Sequence, residues 1–481
     1  MKAIKYLMMG ALLMGCSLGT MAQEGNMNDV AAVKNLVKNK PDDYDKQLKA
    51  FVKANKKKAD VLVAIGRVLF EEKDTMNAAV FANQALVAQK NDYAPAYILL
   101  GDIASMADDG GKAASNYEQA IWADPKNPEA YRKYAIVYSR LNPEMANQKL
   151  EELRQQLPDY PVDALIGHIN YNVQRYGTAI EAYRKVPKDK LERMEFIEFA
   201  RSLQLANLYQ ESQEVVVAGL AKEPLNATLN RFAMMNCNEL KNYPEALKYA
   251  YVLFTQVPKD SVSLKDIDYL NYGKAYYGNN QYQEAVGKYE EALKLAVDDQ
   301  SLHGELYKSM SDAYKGMKDY PNAIENQKKY LDGKEDADAT DWAGLGSLYT
   351  GYARTLDGDA KKEALKTADQ FYADFIAKFA DAEEFGLLQR GRLNAQIESD
   401  VAEGTAKPYF ERLAEQVKAH ETIDDTDKDR LFDAYSYLMR YNLKVKNYQD
   451  AYDYAKKLLE VRPDDADIQR VVTSLEKLAN K

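Results

Sequence analysis

The chain has 481 residues, 46% of them hydrophobic and 29% charged, a balance ordinary for a soluble folded protein. Its formal net charge of −10 argues against general nucleic-acid binding and against docking on an anionic membrane surface, which both need a basic footprint. Tyrosine is unusually frequent, with 36 against 13 Phe and 2 Trp.

The chain opens MKAIKYLMMGALLMGCSLGTMAQ. Lys2 and Lys5 form a basic start, Tyr6 to Met14 is apolar but too short to span a bilayer well, and Thr20-Met21-Ala22 fits a small-x-small cleavage site. This predicts a signal peptide over residues 1–22 and a periplasmic or secreted mature chain. The stretch LMGC offers the other outcome, lipidation at Cys16 and an outer-membrane lipoprotein. No later segment has enough unbroken apolar residues to cross a membrane. Cleavage after Ala22 leaves only Cys237, which excludes an intrachain disulfide and reads as a small buried hydrophobe.

Residues 23–58 read as an N-terminal helical pair, with Val30, Val33 and Val37, then Leu48, Phe51 and Val52, on its apolar faces. Lys53 to Lys58 reads as the cationic end of its second helix. Beyond them one pattern recurs. QRYGTAIEAY starts at Gln174, KNYPEALKYA at Lys241, NQYQEAVGKY at Asn280, KDYPNAIENQ at Lys318 and KNYQDAYDYA at Lys446. Each is a polar turn, a tyrosine, two residues, an alanine and a helical run. The small residues Ala78, Ala113, Ala146, Ala179, Ser212 and Ala246 stand 33 to 35 positions apart. Ala285, Ala323, Ala368, Ala406 and Ala451 continue the series at intervals of 38 to 45, with residues 351–364 the largest insertion. A second small residue often stands twelve positions earlier: Gly66, Gly101, Gly167, Ala200 and Gly273. Small residues at these places let two antiparallel helices approach, and the tyrosine is expected to close the end of its own hairpin. Pro125, Pro224 and Pro463 are expected helix stops. No Pro/Gly/Ser linker divides the array.

The stretch Tyr97 to Pro125 carries Tyr97, Leu100-Gly101, Ala113, Tyr117, Ala120 and Pro125 in an order and spacing that resembles the tetratricopeptide repeat (TPR). Trp342, Leu345-Gly346 and Tyr349 carry the same signature; Ala104 departs from it, standing where an aromatic is usual. The resemblance implies an all-α fold, a TPR α-solenoid built as a right-handed superhelix of helix–turn–helix units. It implies about eleven units over residues 59–465, closed by a capping helix at 466–481 with Ile468, Val471, Leu475 and Leu478 on one stripe. With its signal segment, the chain resembles exported envelope TPR proteins of the Bacteroidetes.

Little in the sequence suggests catalysis. His168, His303 and His420 fall in different units, which a solenoid keeps apart. Asp425, Asp427, Asp429 and Asp433 mimic part of a calcium loop, but Arg430 stands where glycine is needed and Ser436 where glutamate is; acids starting a helix is the better reading. GLGSLYTG from Gly344 reads as part of a helix. No catalytic, cofactor-binding or metal site is therefore expected. DTM at Asp74 and DSV at Asp260 resemble an envelope O-glycosylation signal, placing Thr75 and Ser261 in expected turns.

In the TPR family the first helix of each unit, helix A, lines a concave surface where protein or peptide partners bind. Projected onto this chain, inward positions include Ile98, Asp102, His168, Leu270 and Asp312, with Tyr171 and Tyr277 as aromatics. A basic thread, Arg132, Arg201, Arg231, Lys274, Lys308, Arg392 and Arg440, runs among them and suits carboxylates on an acidic segment. The carboxylate clamp of some TPR proteins is not matched, since Lys308 is followed by Asp312 where asparagine belongs. The expected function is a non-catalytic periplasmic scaffold binding protein or peptide partners. The alternative is a carbohydrate or peptidoglycan binder stacking sugars on Tyr171 and Tyr277.

Overall fold

The computed structural model describes residues 24–297 and 299–480. The expected signal segment, its boundary at Ala22, and Cys16 lie outside them. The described residues form 25 α-helices, and no strand occurs among them. They divide into two compact units, one ending at Lys222 and the other starting at Glu223.

In the first unit α1 (Glu24–Asn39) and α2 (Tyr44–Ala54) precede five hairpins. These are α3 (Ala59–Glu71) with α4 (Thr75–Ala88), α5 (Ala94–Met106) with α6 (Gly110–Ala123), α7 (Pro128–Tyr138) with α8 (Pro143–Gln156), α9 (Val162–Asn172) with α10 (Tyr176–Tyr183), and α11 (Arg193–Leu205) with α12 (Tyr209–Lys222). The second unit has six: α13 (Ala227–Glu239) with α14 (Tyr243–Tyr251), α15 (Asp266–Gly278) with α16 (Tyr282–Leu295), α17 (Gln300–Gly316) with α18 (Tyr320–Asp332), α19 (Ala339–Arg354) with α20 (Gly358–Lys378), α21 (Glu383–Ile397) with α22 (Lys407–Lys418), and α23 (Asp425–Lys444) with α24 (Tyr448–Val461). Helix α25 (Ala466–Ala479) follows. The fold is a tetratricopeptide-type α-solenoid.

The hairpin turns have a common construction. Lys73, Asp108, Gln174, Asn207, Lys241, Asn280, Lys318 and Lys446 each adopt a left-handed conformation, with φ between 57° and 66°. The next residue's N–H then donates back to a carbonyl five positions earlier, as Asp74 does to Leu69 and Asn242 to Cys237, both at 2.8 Å. This six-to-one closure satisfies carbonyls that a helix end leaves free. Glycine, the cheapest residue for that conformation, is absent from all eight turns. The second helix starts on a side-chain cap in many hairpins: Asp74, Asp109, Asn142, Asp319 and Asn447 each accept from a backbone N–H three residues on.

Packing follows the small-residue register. All eleven repeat positions from Ala78 to Ala451, Ser212 included, are fully buried. Ser212 Oγ donates to the Ala200 carbonyl at 3.0 Å, and Ser311 Oγ to that of Ala323 at 2.8 Å, so the two helices do approach closely across the twelve-residue spacing. The glycines serve another end at most places. A Cβ on Gly167 would stand 2.7 Å from the Tyr183 ring, and one on Gly346 2.6 Å from Tyr372. Gly391 faces Phe410 in the same way. The missing side chain makes room for a ring of helix B, one turn after the repeat alanine, rather than for backbone.

The tyrosine that opens helix B reaches further than its own hairpin. The rings of Tyr243, Tyr282 and Tyr320 lie on Gly278, Gly316 and Gly351, each at or near the end of helix A in the following hairpin. The expected closure of the hairpin is met by hydroxyls instead: Tyr282 Oη donates to Asn280 Oδ1 in its own turn at 2.8 Å, and Tyr209 Oη to Asn207 Oδ1 at 2.9 Å. The tyrosine is thus a seam between hairpins as well as a cap on one.

Past the connection at 257–265, the lengthened repeats of the second unit gain chiefly helix. Residues 351–364 are absorbed by the end of α19 and the start of α20, a 21-residue helix, and α23 has 20 residues. Gly358, at φ 57°, makes the one sharp turn there. A π-helical turn at Val252–Gln256 ends α14.

Candidate partner-binding surface

Helices A of consecutive hairpins touch one another within each unit: α3 meets α5, α5 meets α7, α7 meets α9, and α9 meets α11. In the second unit α13 meets α15, α15 meets α17, and α21 meets α23. This crowded row marks the inner side of each unit. Where a helix A is flanked on both sides, as α5, α7, α9 and α15 are, only a narrow strip of it stays accessible.

Several expected groove residues fall off that strip. Ile98, Leu270 and Asp102 are buried between helices. The Asp102 carboxylate accepts from Tyr117 Oη at 2.8 Å and Lys133 Nζ at 2.6 Å, and has Arg67 at 3.6 Å. It therefore links α3, α5, α6 and α7. Glu198, also buried, accepts from Tyr183 Oη at 2.5 Å and lies 2.9 Å from His168 Nδ1, so His168 belongs to a latch between α9 and α11. Burial, then the neighbouring carboxylates, push the Tyr117 and Tyr183 hydroxyls far above the usual tyrosine range.

The basic thread is less free than the sequence suggested. Arg231 pairs through two nitrogens with Asp268, its Nη2 at 2.7 Å, and Asp268 is wholly buried while also accepting from the Lys265 N–H. Arg231 is an internal tie between α13 and α15 rather than an exposed cation. Lys274 pairs with Glu305 at 2.6 Å, Lys308 with Asp312 at 2.8 Å, and Arg392 with Asp433 at 2.6 Å. Among the described residues Arg132, Arg201 and Arg440 have no carboxylate at ion-pair distance; Arg201 approaches only Gln204, at 3.5 Å, and Arg440 donates to the Ser436 carbonyl at 3.2 Å. For Arg231, Lys274 and Arg392 the acid stands on helix A of the next hairpin, where no local sequence signal marks it; the partner of Lys308 is one turn on in its own helix.

Tyr171 meets Tyr176 edge-on with centroids 5.9 Å apart, and Tyr277 is tilted against Tyr282 at 5.5 Å. Both rings stay partly exposed beside the hairpin seams. Thr75 is the first residue of α4 and half-buried, so it does not lie in the turn expected for it, because Asp74 caps the helix directly before it. Ser261 is exposed in a bend, its hydroxyl donating to the Pro258 carbonyl at 2.7 Å. Burial pushes the Cys237 thiol up to about 11.

Among the described residues, the one histidine–carboxylate cluster with three converging groups is in the second unit. His420 Nε2 lies 2.7 Å from Glu384 on α21, and its Nδ1 lies 2.8 Å from Asp427 on α23. Arg430 spans the same two carboxylates at 2.8 and 3.1 Å. The donor set fits a metal poorly: the two ring nitrogens face opposite ways, and a guanidinium already sits between the acids. The hydrogen bonds to Asp427 and Glu384 raise the His420 pKa above the ordinary value. Burial is the largest influence on Asp427 and acts to raise its pKa. The bond from His420, a backbone bond from Asp424 and the charges of His420 and Arg430 together outweigh it and hold the pKa below the ordinary carboxylate value. The calcium-like stretch is spent likewise, with Asp424 capping α23, Asp429 meeting Arg462 at 3.1 Å and Asp433 meeting Arg392.

The second unit also holds a cleft of about 290 Å³ between α19, α21, α22 and α23. Thr350, Arg354, Gln389, Arg392, Gln396, Ser436 and Arg440 line it, over Phe410 and Tyr437. Arg354 was missed in the sequence because it ends an unusually long helix A, and projection from a standard repeat stops short of it.

No family model matches the chain, and no curated protein does either. Among solved structures, the C-terminal part of a TPR repeat-containing protein from Cytophaga hutchinsonii is 22% identical with a TM-score of 0.46, the match covering 57% of this chain and 99% of that one. A tetratricopeptide repeat protein from Parabacteroides merdae is 17% identical with a TM-score of 0.33, over 52% of this chain and 98% of that one. The pilF protein of Pseudomonas aeruginosa is 19% identical with a TM-score of 0.33, over 42% and 92%. No helix among the described residues is long and apolar enough to cross a membrane.

Proposed function

We propose that this protein is a non-catalytic scaffold of the cell envelope whose helix-A strips bind protein or peptide partners. The observation that carries the reading is the division of labour among its charged groups. The deeply buried carboxylates Asp102, Glu198 and Asp268 are spent on holding hairpins together, while Arg132, Arg201 and Arg440 stand on helices A without a carboxylate. Guanidinium groups without a carboxylate suit recognition better than stability. The basic, then apolar, then small-x-small start of the chain supports export.

The test is in-cell crosslinking followed by affinity capture from the native envelope, read by mass spectrometry. One or two stoichiometric envelope proteins joined through helix-A positions support the scaffold. Recovery of the protein alone, or crosslinks confined to helices B, contradicts it.

A further inference from the structure

Resting on that scaffold reading, we propose that the cleft between α19, α21, α22 and α23 is the seat of an acidic peptide segment, whose carboxylates pair with Arg354 and Arg440. Three guanidinium groups line this space against one carboxylate, Asp433, and Asp433 is already held by Arg392 at 2.6 Å. Arg354 and Arg440 are exposed, and among the described residues neither has a carboxylate at ion-pair distance. The remaining acid nearby, Glu398, is occupied: Tyr437 Oη donates to it at 2.9 Å and Thr405 Oγ1 at 2.9 Å. The cleft thus keeps an excess of positive charge inside a protein whose net charge is −10.

The rest of the lining specifies what kind of anion fits. Gln389 and Gln396 offer amides, and Thr350 and Ser436 offer hydroxyls, all suited to an extended backbone. Thr350 Oγ1 donates to the Gly346 carbonyl at 3.0 Å and is also hydrogen-bonded with Tyr372, so Ser436 is the hydroxyl better placed for a ligand. Phe410 and Tyr437, both buried, make the floor firm. Arginine forks pair carboxylates through two parallel bonds, so two guanidinium groups without a carboxylate select a segment with two acidic side chains.

The test uses the full chain and a short fluorescein-labelled peptide of alternating glutamate and glycine, followed by fluorescence anisotropy. The glutamate peptide binds, its glutamine counterpart does not, and added salt weakens the complex. Arg354→Gln with Arg440→Gln lowers the affinity by about tenfold or more, while the melting curve stays that of the parent. Ser436→Glu, which puts a carboxylate in the cleft without touching an arginine, has the same effect. Arg470→Gln, at an exposed arginine of α25 outside the cleft, changes nothing. Undiminished binding by the double variant, or equal binding of the glutamine peptide, overturns the proposal. So does a phosphoserine peptide that binds through the same arginines when the glutamate peptide does not. If no peptide binds but an envelope partner still crosslinks to other helix-A positions, this assignment falls and the scaffold stands. If the glutamate peptide binds as described but nothing crosslinks in cells, the scaffold falls instead.

Discussion

The ring of Tyr183 stands 2.7 Å from the point a Cβ on Gly167 would occupy, and its hydroxyl is tied to the buried Glu198 at 2.5 Å. The ring has no slack to give. Gly167→Ala gains the better helix propensity of alanine, about 1 kcal/mol, but overpacks a locked contact at about 1–3 kcal/mol. The overpacking wins, and urea denaturation should show a net loss of about 1–2 kcal/mol. Gly287 lies within α16 with nothing within 4 Å of its missing Cβ, so Gly287→Ala should instead stabilise by about 0.5–1 kcal/mol.

The hairpin turns make the opposite prediction about glycine. Lys318 holds φ 61° with its side chain on the crowded side of the map. A left-handed non-glycine residue costs roughly 1–2 kcal/mol, partly offset by the extra freedom glycine has when unfolded. Lys318→Gly should therefore raise stability by about 0.5–1 kcal/mol in chemical denaturation. A fall would mean that the six-to-one closure at Asp319 does not define this turn.

Arg231 and Arg440 look alike in the sequence and should behave differently. Arg231→Ala strands the wholly buried Asp268, a change that costs about 3–5 kcal/mol when a buried pair loses one partner. Arg440→Ala removes an exposed cation with no carboxylate partner and should stay within about 0.5 kcal/mol of the parent. Paired thermal and urea unfolding of the two variants checks this.

His420 predicts a pH dependence. Glu384 and Asp427 face its two nitrogens, with Arg430 beside them, and its pKa is raised in the folded state. A raised folded pKa gives stability that is fully present below the unfolded value of about 6.5 and lost as pH rises through the folded value. The parent's melting temperature should fall from mildly acidic to mildly alkaline pH by more than that of His420→Gln. Parallel curves for the two would remove His420 from the account.

What the sequence made legible was periodic. The alanine register, the small-residue partner twelve places earlier and the closing prolines are one-dimensional signals, and Ala285, Ser212 and Ala200 pack where that register puts them. What it hid was pairing between hairpins. Nothing in KNYPEALKYA says that Tyr243 will lie on Gly278, 35 positions on, and nothing near Arg231 names Asp268. Such contacts depend on how successive hairpins stack, so groove residues projected from one helix at a time mixed buried ties such as Asp102 with free cations such as Arg440. The cleft was partly visible through Arg392 and Arg440, but Arg354 required the real length of α19.

The most direct test of the central claim is hydrogen–deuterium exchange of the full chain with and without its captured envelope partner. The account predicts new protection concentrated on helices A, in the second unit on α19, α21 and α23, with α22 and α24 unchanged on their outer faces. Protection confined to helices B, or spread evenly over both helices of every hairpin, would contradict it.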